Sequence, residues 1–158
     1  MRTFLIIFAS VMNLVLADAV VKEIAALKLK GSAAISVISG FFNLAYVENR
    51  GCAWGMFQGQ VWPLAAFAIV VFAFFLWKRK TVFGVTKLSL VAEILLYAGM
   101  FGNFIDRVFR GYVIDMFDFH LGVHHFPCFN LADAFITIAA GILLIMAVFE
   151  KKDAPTAR

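Results

Sequence analysis

Charge is scarce in this chain. Asp, Glu, Lys and Arg supply 15% of its 158 residues, where soluble domains carry about 25%. That leaves too little polar surface to cover a water-facing globule. A chain that is 63% hydrophobic is equally unsuited to a disordered tail or a nucleic-acid-binding arm, in spite of a net charge of +4 and a pI near 9.3. Cysteine is scarce too. Cys52 and Cys128 are too few for a disulfide framework, although one bond between them is open if both face an oxidising compartment. No Ser-x-x-Lys or G-x-S-x-G nucleophile motif occurs, nor a Gly-rich phosphate loop, an internal repeat or a low-complexity run. What survives is an integral membrane protein with little chain left for a separate soluble domain.

Mean hydropathy is +0.92, and the apolar residues fall into four stretches, about 3–21, 61–77, 85–105 and 129–149. Each is near the ~20 residues that a helix needs to cross hydrocarbon. The expected fold is a mainly α membrane protein, one domain over 1–158, with four transmembrane helices. Lys78, Arg79, Lys80 and Lys87 crowd the link between spans two and three, Lys151, Lys152 and Arg158 follow span four, and Arg2 precedes span one. The positive-inside rule then puts both termini, that link and the polar tail 151–158 in the cytoplasm. Span one, with Arg2 before it and Ala17-Asp18-Ala19 within it, has some features of a cleavable signal peptide. Its length, and the odd number of spans its removal would leave, favour a retained helix. Outside lie residues 23–60, punctuated by Gly31, Gly40, Gly51, Gly55 and Gly59, and residues 106–128. The stretch from Ile35 to Tyr46 reads as strand, which predicts a small extracytoplasmic β-sheet.

Ionisable and amide groups near the outer ends of spans carry the functional signal, because a charge at the bilayer centre costs about 2.5–3.5 kcal/mol on insertion scales and so faces protein or a wet cavity. Asp18 and Lys22 are spaced i,i+4 and suit an interfacial ion pair. Ala98 and Gly102 form a small-xxx-small pair for close helix packing, and Asn103, Asp106 and Arg107 share one face just beyond it. Asp115 sits in Gly111-Tyr112-Val113-Ile114-Asp115-Met116-Phe117, a poorly solvated setting that raises a carboxyl pKa. Asp133 opens span four with Asn130 three residues before it, where a helix N-terminus favours negative charge. Each has a plain structural reading by itself. Two carboxylates on apolar segments at one membrane surface are also the components of an aspartyl dyad, in which one proton is shared, the ionised member activates water and the protonated member assists the scissile carbonyl.

Two other constellations compete. His120, His124, His125 and Cys128, with Asp118, invite a zinc reading, but their spacing fits no standard structural site or H-E-x-x-H pattern. A small proton-coupled transporter or channel subunit would use Asp18, Glu93, Asp115 and Asp133 as a relay. All but Glu93 cluster toward one side, which favours a site at the outer surface.

At these residues the chain resembles the lipoprotein signal peptidase (signal peptidase II) family of bacteria, over nearly its whole length. The motifs are Asp18-x-x-x-Lys22; Phe42-Asn43-Leu44-x-x-Val47-x-Asn49-x-Gly51-x-Ala53-x-Gly55; Gly102-Asn103-x-Ile105-Asp106-Arg107 with Gly111-x-Val113-x-Asp115; and Phe129-Asn130-x-Ala132-Asp133. The resemblance implies an inner-membrane aspartyl endopeptidase, needing no metal or other cofactor, that cuts diacylglyceryl-modified prolipoproteins just before the lipidated cysteine. It implies Asp115 and Asp133 as the catalytic pair, with Asn49, Gly51, Asn103, Asp106, Arg107 and Asn130 lining or holding the site and Asp18 and Lys22 supporting it. It also implies a short helix and loop within 106–128 acting as a flap. The expected partners are prolipoprotein and membrane lipid, with no nucleic acid and a monomeric state. Cys52 and Trp54 stand where the family more often has Ala and Phe. Phe41, Phe42, Trp54 and Phe57 are expected to rest on the membrane interface.

Overall fold

The computed structural model describes residues 2–122 and 124–150; the tail 151–158 lies outside them. Helix α1 runs without interruption from Arg2 to Leu29, through Ala17–Ala19, and stops at Gly31, whose φ of +76° is the left-handed conformation that ends helices at low cost. Two strands follow, β1 (Ile35–Ile38) and β2 (Phe42–Asn49), then a single 3-10 turn at Ala53–Gly55. Helix α2 spans Val61–Trp77, the short α3 Arg79–Val82, and α4 Lys87–Arg110. The Thr86 hydroxyl caps α4 by accepting the Ser89 N–H at 3.0 Å, and Gly111 at φ +76° closes it. Strands β3 (Val113–Leu121) and β4 (His124–His125) lead to α5 (Leu131–Glu150).

Three of these helices, α1, α4 and α5, are long and apolar enough to cross a membrane, while α2 is a shorter apolar helix. The central one is α4, the most buried of the three. Ile7, Val11 and Val15 of α1 form an i,i+4 stripe that packs with Ala92, Leu96 and Ala98 of α4 and Ala139 of α5. Large apolar side chains such as Phe4, Leu16, Phe67, Leu144 and Val148 point outward, which suits hydrocarbon and not water. Close approach of α4 to α5 and α1 depends on two glycines. A Cβ on Gly99 would lie 2.4 Å from the Ala132 carbonyl oxygen, and one on Gly102 would lie 2.6 Å from Asp18 Oδ2. Gly102 therefore performs the packing role expected of it, Ala98 is fully buried in the core, and Gly99 joins them.

The sheet is antiparallel in the order β1-β2-β3, extended by the two-residue β4 on the far side of β3. Two expectations about the outer segments need correction. Residues 23–29 are the last turns of α1 and not part of the sheet, because Ala25 and Leu29 bury themselves against Ile114 and Met116 of β3. The second outer element is not a short helix and loop within 106–128. Helix α4 continues to Arg110 and the chain then becomes β3, whose alternate residues Ile114 and Met116 must cover α1 while the intervening ones face Phe129. The short helical turn lies at Ala53–Gly55 instead.

The register between β2 and β3 holds one irregularity. Asn43 lies opposite Asp118 and Leu44 opposite Phe117, but Val47 opposes Asp115 and Asn49 opposes Val113. One extra residue is thus accommodated in β2 between Leu44 and Val47, a bulge that reverses which face the rest of the strand presents.

Candidate active site

Asp115 leaves β3 on the face opposite Ile114 and Met116 and is 2% exposed. Asn130 Nδ2 donates to its Oδ1 at 2.7 Å, and Asn49 Nδ2 donates to its Oδ2 at 2.9 Å. Burial, followed by the nearby Asp133 carboxylate, pushes the Asp115 pKa up to about 7, as the apolar sequence context predicts.

Asp133 occupies the first turn of α5. Asn130 Oδ1 accepts the Asp133 N–H at 3.0 Å, and Asp133 Oδ2 accepts the Asn130 N–H at 3.2 Å. This reciprocal arrangement is a capping box built from Asn and Asp. Asn130 therefore caps the helix that carries one carboxylate while its amide holds the other. Asn103 Nδ2 donates to Asp133 Oδ1 at 2.7 Å.

Beneath this pair lies a buried charge cluster. Lys22 is 1% exposed, and an ammonium so placed needs a partner for each of its three donors. It has them: Asp18 Oδ2 at 2.7 Å, Asp106 Oδ2 at 2.9 Å and Asn103 Oδ1 at 3.1 Å. Asp18 Oδ1 in turn accepts the Ala132 N–H at 3.0 Å, joining α1 to the first turn of α5. Asp106 Oδ1 accepts from Arg110 Nε at 3.0 Å, and Arg110 also pairs with Glu23. The Asp18–Lys22 pair is thus buried within the protein. Arg107 donates to the Gly51 carbonyl at 3.1 Å and to the Asn103 carbonyl at 3.3 Å. Gly51 is required because a Cβ there would stand 2.4 Å from the Met56 carbonyl oxygen.

Asn49, Asn103, Arg107, Asp115 and Asp133 line a cavity of about 490 Å³ together with Trp54, Phe126 and Phe129. A second, apolar groove of about 880 Å³ runs along Leu64, Phe67, Val71 and Phe75 and shares Asn103, Arg107 and Asp133. Two carboxylates held by amide donors in one cavity, one of them shared with an apolar groove, can take and give protons beside an extended, lipid-like chain.

The competing clusters resolve differently. Glu93 forms an ion pair with Arg79, and none of its hydrogen bonds reaches Asp18, Asp115 or Asp133. Cys52 and Cys128 are both free and both line the carboxylate cavity. Burial pushes the Cys128 thiol up to about 12, so it stays protonated. Asp118, His120 and His125 do come together, without Cys128.

A profile of the family described as Signal peptidase (SPase) II matches residues 10–149. The chain belongs to the signal peptidase II family. A lipoprotein signal peptidase of Clostridium acetobutylicum is 36% identical over 142 residues, covering 88% of this chain and 92% of that one. A lipoprotein signal peptidase of Burkholderia cenocepacia is 42% identical over 128 residues, covering 77% and 75%. A solved bacterial membrane enzyme is 34% identical with a TM-score of 0.76, covering 90% of this chain and 91% of that one. Another matches at 31% identity and a TM-score of 0.73, covering 96% and 92%. Membership makes the protein a bacterial membrane peptidase, which does not favour the transporter reading.

Of the site residues that the signal peptidase II resemblance implied, Asn49, Asn103, Arg107, Asp115 and Asp133 line the cavity, Asn130 bonds both carboxylates, Gly51 accepts from Arg107, and Asp18, Lys22 and Asp106 form the cluster beneath. Sequence reasoning passed over Glu23 and Arg110, which complete the cluster, although the i,i+4 spacing of Asp106 and Arg110 was available. It also passed over Phe126, which no spacing rule connects to the carboxylates.

Proposed function

We propose that this protein is an aspartic endopeptidase of the bacterial inner membrane that removes signal peptides from diacylglyceryl-modified prolipoproteins, cutting just before the lipidated cysteine. Asp115 and Asp133 are the catalytic pair. The observation that carries this reading is the double role of Asn130, which donates to Asp115 and shares a capping box with Asp133, so that one residue fixes both carboxylates at one cavity.

Asp115, whose pKa is pushed up to about 7, is the proton-bearing member and the general acid. Asp133 carries the charge, favoured by its place in the first turn of α5. It takes a proton from water as the water oxygen attacks the scissile carbonyl carbon, while Asp115 gives its proton to the carbonyl oxygen. The tetrahedral diol then collapses: Asp133 returns its proton to the leaving nitrogen, and Asp115 recovers one from the diol. Asn49, Asn103 and Asn130 keep the carboxylates oriented, and Arg107 ties Gly51 to α4.

The substrate lies in the bilayer, so its scissile bond meets the pair at the membrane surface, and the apolar groove beside α2 suits its lipid and apolar segments. In this reading α2 is a fourth span. Its 17 residues are about 25 Å of helix, and the basic link at 78–87 and both termini are cytoplasmic. The site faces outward, the whole chain is one domain, and it acts as a monomer.

The test is cleavage of a diacylglyceryl-modified prolipoprotein in detergent, read by gel shift, for the unaltered chain and for Asp115→Asn and Asp133→Asn. Cleavage by the unaltered chain alone, with both variants folded, is expected. A variant that still cuts overturns the assignment of the pair, and an unaltered chain that does not cut overturns the activity.

A further inference from the structure

The β3–β4 hairpin carries a cluster that the proposed chemistry does not use. Asp118 and His120 are two apart on β3, so their side chains leave the strand on the same face, the face opposite to that of Asp115. His125 on β4 lies directly across from His120 in the antiparallel register, which brings it to that face too. The potential ligand atoms of Asp118, His120 and His125 all lie within 4.8 Å of one another. His125 Nδ1 is 3.6 Å from Asp118 Oδ1, and the two imidazole rings are 5.1 Å apart between centroids.

We propose that Asp118, His120 and His125 form a binding site for a divalent transition-metal ion of the zinc class on this hairpin, separate from the Asp115–Asp133 pair. Ligands around one tetrahedral zinc at about 2.1 Å stand about 3.4 Å apart, so the cluster needs closure by about an ångström. The exposed His125, on a two-residue strand, has the freedom to supply it. Two imidazoles and one carboxylate are the donor set that suits zinc-class ions and not calcium or magnesium, and water completes the fourth position. A supporting shell is already present. Asn43, opposite Asp118 in the register, donates to Asp118 Oδ2 at 3.1 Å and lies 3.4 Å from His120 Nδ1, so it fixes the carboxylate from behind, as outer-shell partners of metal ligands do. A bound ion would tie β4 to β3 just where the chain continues into Phe126–Phe129, the segment that lines the carboxylate cavity.

The experiment uses the untagged full chain in detergent, titrated with Co²⁺ by visible absorption and with Zn²⁺ by thermal melting. One equivalent of Co²⁺ with an imidazole-type spectrum is expected, together with a Zn²⁺-dependent rise in the melting midpoint. His125→Ala and Asp118→Asn, on different strands, should each abolish both signals while melting like the unaltered chain in the absence of metal. Asn43→Ala should weaken affinity by about tenfold. A Cys52→Ser/Cys128→Ser variant and Asp115→Asn should bind as the unaltered chain does. No binding at millimolar ion, binding that survives His125→Ala and Asp118→Asn, or binding lost with the cysteines or with Asp115 would each overturn the site.

Discussion

Asn49 donates its side-chain amide to Asp115 at 2.9 Å only because β2 carries one extra residue. Asn43 and Asn49 are six apart, and unbroken alternation would put them on one face. The irregularity between Leu44 and Val47 sends them to opposite faces, so Asn43 meets Asp118 and Asn49 meets Asp115. Asn49→Ala should lower kcat on the order of a hundredfold by loosening the carboxylate, with the fold retained. Deleting Ala45, which removes the extra residue, should lower it at least as far while the sheet survives. Cleavage assays with circular dichroism decide both, and an unchanged rate in Asn49→Ala would refute the positioning role.

Lys22 neutralises two buried carboxylates at once. Lys22→Met leaves Asp18 and Asp106 without their shared cation, and breaking such a buried pair costs about 3–5 kcal/mol. The expected result is a marked fall in the melting midpoint in detergent, together with lost cleavage, because Asp18 caps α5 through Ala132. A midpoint equal to that of the unaltered chain would count against the cluster as the support of the site.

The raised Asp115 pKa gives a signed pH dependence. As general acid Asp115 must hold its proton, so cleavage should fall as pH rises through about 7. Stability moves the same way. Between its ordinary value of 3.8 and about 7, the folded chain keeps a proton that the unfolded chain has released, so stability is lost as pH rises across that window and is level above it. Melting of the unaltered chain against Asp115→Asn from pH 4 to 8 tests this: the variant should lack that part of the slope.

Gly99 and Gly141 make a matched pair. A Cβ at Gly99 would collide with the Ala132 carbonyl at 2.4 Å, whereas one at Gly141 would meet nothing within 4 Å. Gly99→Ala should cost about 1–3 kcal/mol through overpacking and disturb Asp133, one residue beyond Ala132. Gly141→Ala should be neutral or stabilising by up to about 1 kcal/mol. Equal melting midpoints would refute the close-approach argument.

Trp54 and Phe57 are exposed and both have positive φ, a conformation that is held at some cost in non-glycine residues and gathers near functional sites. Replacing Phe41, Trp54 and Phe57 by polar residues should raise KM for lipidated substrate while melting is unchanged, if this surface meets the bilayer. Phe42 is excluded from the set because it is half-buried, stacked on Phe119 at 4.5 Å, whereas Phe41 is exposed. Unaltered KM would remove the aromatic surface from substrate handling.

The sequence by itself determined the membrane class, the positions of the apolar helices and the identity of the polar residues, because each follows from local rules: apolar run length, Lys/Arg placement, and ionisable groups that hydrocarbon excludes. The burial of Asp115 came from the packing around it, because Ile114 and Met116 beside it in the chain point to the opposite face of β3. Only the tertiary structure decided that Asn130 serves both carboxylates, that all three Lys22 donors find acceptors on two helices, that residues 113–121 join the sheet, and that Asn43 and Asn49 face opposite ways. These depend on strand register and helix packing, where a single extra residue reverses a face and a missing Cβ admits a neighbouring helix, and neither event is encoded in the spacing along one segment.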